Sequence, residues 1–191
     1  VLGSTTTKDT YVWSLSYIDD MVARDQSVNG GAATRIYAQQ DANHDVTALV
    51  NTSGAVLERF IYDPYGTATV LNATTWASRS DGYSWLYTFQ GGRYDSVCGK
   101  INFRHRDLDT VTGTWMERDP AGYVDGASLY QFEADKPSSS VDPGGLEFIN
   151  QGEVGVGRFW WVTGETAGAG GLNTPFTVLL NPTTLFALIS L

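Results

Sequence analysis

Polar and apolar residues alternate in short bursts over the first 120 positions, and each burst is the length of a strand. "TYVWSLSYI" (10–18), "TRIYAQQ" (34–40), "VTALV" (46–50), "AVLERFIY" (55–62) and "TATVL" (67–71) are separated by the turn clusters "DANHD", "NTSG" and "DPYG". "SWLYTFQ" (84–90), "KINFRHR" (100–106) and "GTWMER" (113–118) continue the pattern. Runs of about 5–8 residues joined by Gly, Asn and Asp predict an all-β, antiparallel meander of hairpins. One short helix is expected near 127–135, within "GASLYQFEAD". There Ser128 and Gln131 have capping-box spacing, Leu129 and Phe132 share a face, and Pro137 supplies a stop. The character changes after Leu146, which suggests segments 1–90, 91–146 and 147–191.

Composition narrows the class. The chain has 191 residues, 42% hydrophobic and 13% aromatic, enough for a sizeable core. A formal net charge of −9 argues against a nucleic-acid partner, which needs clustered Lys and Arg. Cys98 is the single cysteine, so an internal disulfide and cysteine-rich zinc sites are excluded. No stretch has the roughly 20 apolar residues of a membrane span, and "FTVLLNPTTLFALISL" is interrupted by Asn181-Pro182. The opening "VLGSTTTKDT" reads as the middle of a longer chain. A fragment of a repeat array is expected to expose more apolar surface than a finished domain.

Few residues offer chemistry. "DANHD" (41–45) has a calcium-loop look, but Val46 and Thr52 stand where Gly and Glu are needed. We read it as a hairpin turn. His44 and His105 are too few for a three-histidine metal site, and no G-x-S-x-G elbow accompanies His105. Neither a metal nor a cofactor is expected.

Three of the six prolines lie in one frame, D-P-x-G: Asp63-Pro64-Tyr65-Gly66, Asp119-Pro120-Ala121-Gly122 and Asp142-Pro143-Gly144-Gly145. The frame suits a type I turn, with Asp first, Pro second and Gly fourth. Asp107 and Asp119 are twelve apart around the Gly113 turn, so a hairpin brings them near its open end. A close carboxylate pair shares one proton, which suits it to activate water and protonate a leaving amide, with Arg106 as an orienting charge.

"VTALVNTSGAVLERFIYDPYG" resembles the YD repeat unit of the Rhs/YD-repeat family. "YTFQGGRYDSVCGKINFRHRDLDTVTGTWMERDPAGYVDGASLYQFEADKPSSSVDPGGL" is similar to its Rhs repeat-associated core. The resemblance covers residues 10–146 and extends to toxin-complex C proteins and, more distantly, the teneurin YD shell. It implies a segment of a hollow β-shell whose core is a single-turnover aspartic autoprotease, cutting its own chain after the last D-P-x-G-Leu. Here that bond is Leu146–Glu147, and the matching site residues are Arg106, Asp107 and Asp119. Asp135-Lys136-Pro137 departs from the family's Asn-Asn-Pro. Implied partners are upstream YD repeats and the chain's own C-terminal segment, in a secreted or cell-surface polymorphic toxin. The second reading is a non-catalytic shell segment, or a module for carbohydrate or a cell-surface target, whose D-P-x-G frames only turn the chain.

Overall fold

The computed structural model describes residues 5–123 and 126–150. Six antiparallel strands form the first sheet: β1 (Thr7–Trp13), β2 (Met21–Val28), β3 (Thr34–Gln40), β4 (Val46–Asn51), β5 (Val56–Tyr62) and β6 (Ala68–Asn72). They lie in the order in which they occur along the chain. A second sheet follows, with β7 (Arg93–Asp95), β8 (Lys100–Asn102), β9 (Asp107–Asp109) and β10 (Thr114–Trp115), again each beside its sequence neighbour. Two further two-residue strands, Ser140–Val141 (β11) and Ile149–Asn150 (β12), flank the last D-P-x-G frame. The all-β meander expected from the alternation is the architecture observed.

One turn device recurs. In Asp41–His44, Asn51–Gly54 and Asp63–Gly66 the first residue's Oδ1 accepts the N–H groups two and four positions on. The fourth residue is left-handed, with φ of +60°, +83° and +89°. The Asp or Asn thus replaces ladder bonds that the turning backbone gives up. The sequence DANHD is such a turn. Gly66 is obligatory on steric grounds as well: a Cβ there would lie 2.6 Å from Phe89.

Two apolar cores result. Met21, Ile36, Val46, Leu49, Phe60 and Trp85 fill the first. Phe89, Ile101, Phe103, Leu108, Trp115 and Phe132 fill the second. Trp115 and Phe132 meet edge to face, with centroids 5.0 Å apart. Tyr62 packs against both cores, and its hydroxyl donates to the Val46 carbonyl at 2.8 Å.

Several expectations are corrected. β2, "MVARDQSV", is a full strand that its polar residues concealed. Residues 84–90 are no strand: Trp85 plugs the first core, and the chain turns tightly at Phe89–Gly91. The run 100–106 leaves the sheet after Asn102, because Arg104 adopts φ +70°. No helix spans 127–135. Residues 129–131 run beside β10, where Trp115 N–H donates to Tyr130 O and Thr114 bridges Gln131. A left-handed turn at Glu133–Asp135 (φ +48°, +51° and +58°) then drops Phe132 into the second core. Pairing and burial outweigh a weak capping signal.

Candidate functional site

The second sheet positions the site. After β8 the chain bulges through Phe103–His105, and Phe103 N–H closes the bulge on Arg106 O at 2.9 Å. Arg106 and Leu108 therefore face inward, while Asp107 and Asp109 take the opposite face of the strand. The Arg106 guanidinium is buried, with its carbon 4.3 Å from the centre of the Trp115 ring.

Its nitrogens find three partners. Nη1 lies 2.9 Å from Asp119 Oδ2 and Nη2 lies 3.2 Å from Asp142 Oδ2. Nε donates to Gly145 O at 2.5 Å. The two side-chain carboxylates are 4% and 2% exposed, so one buried cation holds two buried acids. Such an arrangement is tolerable only when every charge has a geometric partner, and a planar forked guanidinium supplies that. Burial pushes the Asp142 carboxyl above its ordinary value, against the opposing pull of the Leu146 N–H and of Arg106.

The turn bearing Asp142 is gripped elsewhere too. Asp142 Oδ1 accepts Leu146 N–H at 3.0 Å, and Gly145 N–H returns to Asp142 O. Arg104 donates to Pro143 O, and His105 Nδ1 meets Gly144 O at 2.9 Å. Gly145, at φ +64°, cannot carry a side chain, since a Cβ would lie 2.9 Å from Phe103 O. Asp119 builds the equivalent turn, with Oδ1 on Ala121 N–H at 2.7 Å and Gly122 left-handed at φ +80°. Pro143 is buried, Leu146 half-buried and Glu147 exposed.

Among the described contacts, then, Arg106 joins Asp119, while Asp107 lies apart. Asp107 Oδ1 accepts Asn102 Nδ2 at 2.7 Å, and its N–H donates to Glu117 Oε2. The carboxylates that converge on the guanidinium are Asp119 and Asp142. Asp63, Pro64 and Gly66 form the turn described above, which packs on the second core through Tyr65 and Gly66 and makes no described contact with Arg106. Spacing across a hairpin could place Asp107 near Asp119, but not the faces on which their side chains leave. The last D-P-x-G frame marked Asp142 as part of the turn at the cleavage bond, but not as a partner of Arg106, and Arg104 had no sequence signal as a site residue, because only the folded chain brings 104–106 against 142–145.

A second buried polar group adjoins the turn. Gln90 N–H donates to Asp45 Oδ1 at 2.8 Å, and its amide nitrogen lies within 3.3 Å of Glu133 Oε2, Pro137 O and Ser140 O. Burial pushes the Asp45 carboxyl up to about 7 and that of Glu133 up to about 9. Nothing in the sequence marked Glu133 as buried. An open groove of about 340 Å³ lies nearby, lined by Trp13, Ile18, Tyr87, Gly91, Arg93, Asn102 and Arg104. No cluster of three or more metal-ligating side chains occurs among the described residues, and no described helix is long and apolar enough to cross a membrane.

No family model matches the chain. It is 32% identical over 98 residues to toxin subunit YenC2 of Yersinia entomophaga, covering 51% of this chain and 10% of that protein. It is 27% identical over 115 residues to the tRNA3(Ser)-specific nuclease WapA of Bacillus spizizenii, covering 58% of this chain and 5% of that one. Among solved structures, that of TcdB2-TccC3-Cdc42 superposes with a TM-score of 0.55 at 23% identity, over 65% of this chain and 6% of that one. The chain therefore spans about a tenth or less of these relatives' length. The sequence likeness, at modest identity, relates the chain to toxin-complex, Rhs-type proteins, and the structural likeness shows a shared fold.

Proposed function

We propose that this chain is part of an Rhs-type β-shell protein and that its core cuts its own backbone between Leu146 and Glu147. The observation that carries the reading is Arg106. It binds the main chain of the D-P-G-G-Leu turn at Gly145 O while sharing its guanidinium with Asp119. A bond held against acid–base groups of the same chain needs no encounter step, an advantage of several kcal/mol in favourable cases.

In the proposed reaction, water oxygen adds to the Leu146 carbonyl carbon and the bond to Glu147 nitrogen breaks. Asp119 takes one proton from the water, and a second carboxyl delivers one to the departing nitrogen. The products are a Leu146 carboxylate and a free amine on Glu147. Asp107 is the second carboxyl by resemblance. To act, it leaves the Asn102 amide that holds it here. Asp142 holds the turn through Leu146 N–H and Arg106. The segment 147–191 is the released piece, upstream repeats are the partners that complete the shell, and the parent protein works outside the cell or at its surface.

Time-resolved mass measurement of the expressed chain tests this. The parent is expected to yield pieces ending at Leu146 and starting at Glu147. Asp119→Asn and Asp107→Asn are expected to stay intact, and Asp63→Asn, in a D-P-x-G turn that makes no described contact with Arg106, is expected to cleave like the parent. If all three variants match the parent, the catalytic reading is lost. An alternative reading is favoured by the groove, in which Trp13 and Tyr87 stand beside Arg93 and Asn102. Aromatic faces beside polar donors suit carbohydrate, and an intact chain that binds glycans would select this reading.

A further inference from the structure

We infer that Arg104 is a positioning residue that makes cleavage conditional on the folded first sheet, because its guanidinium joins Asp19 of the β1–β2 connection to the carbonyl of Pro143. The inference rests on the self-cleavage reading and adds to it a control by the repeat sheet.

Three consecutive side chains grip three consecutive carbonyls, each 39 residues on: Arg104 to Pro143, His105 to Gly144 and Arg106 to Gly145. Arg106 and His105 arise from the core alone. Arg104 does not: its Nη2 lies 2.5 Å from Asp19 Oδ1, across 85 residues of sequence. Its left-handed backbone, at φ +70°, is a conformation that a bulky residue adopts only when its surroundings impose it.

Asp19 is a deliberate anchor. It is 1% exposed, and its second oxygen is buried without a partner. Its backbone carbonyl accepts Gln40 Nε2 from β3 at 2.9 Å, and Ser14 N–H closes the connection on Asp20 O. Gly91 is packed so closely that a Cβ would lie 2.3 Å from the Asp19 Cβ. The carboxylate thus reaches Arg104 only when β1, β2 and β3 are paired. Burying it half-satisfied is costly unless a cation meets it. A guanidinium has separate nitrogens for the two tasks, holding Asp19 with one and the scissile turn with the other.

The test is the first-order cleavage rate of the whole 191-residue chain, with the melting temperature measured beside it. Arg104→Lys keeps a charge for Asp19, but one ammonium is not shaped to serve both acceptors. Asp19→Asn keeps the shape and removes the anchor's charge. Each is expected to slow cleavage about tenfold, the worth of one such hydrogen bond, with little change in melting temperature. The double variant is expected to be no slower than Arg104→Lys alone, since both break one link. Should Arg104→Lys be insoluble, the isosteric Asp19→Asn decides. A parent that cleaves while both variants keep its rate, or slow only in proportion to lost stability, overturns the inference and leaves the self-cleavage reading standing. A parent that stays intact at Leu146–Glu147 overturns both.

Discussion

Gly145 and Gly144 are neighbours in one turn, yet alanine at the first should be costly and at the second nearly neutral. At Gly145, φ is +64°, and a non-glycine residue there costs about 1–2 kcal/mol. Its Cβ would also stand 2.9 Å from Phe103 O and 3.1 Å from Arg106 N. Both are main-chain atoms, so no rotamer relieves the overlap, and overpacking of this kind costs about 1–3 kcal/mol. The sum is about 2–5 kcal/mol, or a melting temperature lower by about 4–20 °C in a chain of this size. At Gly144 the nearest atom to an added Cβ is 3.9 Å away, on the Leu146 side chain. Gly144→Ala is therefore expected within about 0.5 kcal/mol of the parent. Thermal melts by circular dichroism measure both, and mass analysis reads cleavage in the same samples. Gly145→Ala is expected to lose cleavage as well, because relief of the clash moves the carbonyl that Arg106 holds. Equal melting of Gly145→Ala and the parent, or an equal loss from Gly144→Ala, would refute the geometry.

Other outcomes follow from the same contacts. Arg106→Met leaves Asp119 and Asp142 buried without their shared cation, and chemical denaturation should show a loss of about 3–5 kcal/mol. Glu133 has its carboxyl raised by burial to about 9 from 4.5, so between those values the folded state holds a proton that the unfolded state has released. Stability should therefore fall as pH rises through that window, by up to about 1.4 kcal/mol per pH unit from this group. Asp45 and Asp142 act in the same direction. Melting curves from pH 5 to 8 should be flatter for Glu133→Gln than for the parent, and parallel curves would remove Glu133 from the account. Tyr62→Phe takes the donor from Val46 O and should cost about 1 kcal/mol, with both cores still melting in a single transition.

Much of the first sheet was legible because its rules are local. β3 matched its run of alternating residues, and the bounds of β4, β5 and β6 shifted by one residue at most. Asn51 and Asp63 announced their turns by chemistry that acts within four residues. β2 was hidden because Arg24, Asp25 and Gln26 interrupt its apolar pattern. Arg24 is nonetheless buried, its guanidinium over Trp85 and donating to Ser84 O. The false helix had a correct local signal that lost to pairing with β10. Residues of the candidate site were legible as types. Their convergence was not, because Asp142 reaches Arg106 only through a tertiary arrangement that no spacing encodes.

The neighbour-to-neighbour order of both sheets bears on when the site comes into being. Each strand pairs with the one made just before it, so loop closures are short and the meander can assemble in step with synthesis. Trp85 and the second core follow, each on a surface already laid down. Asp142 and the turn to Leu146 emerge after every other part of the site, and they complete the charge cluster around Arg106. In a chain built in this order, the segments that carry Arg106 and Asp119 are made before the turn that meets them. Among the described residues, the charge cluster around Arg106 closes late, in the order in which the chain grows.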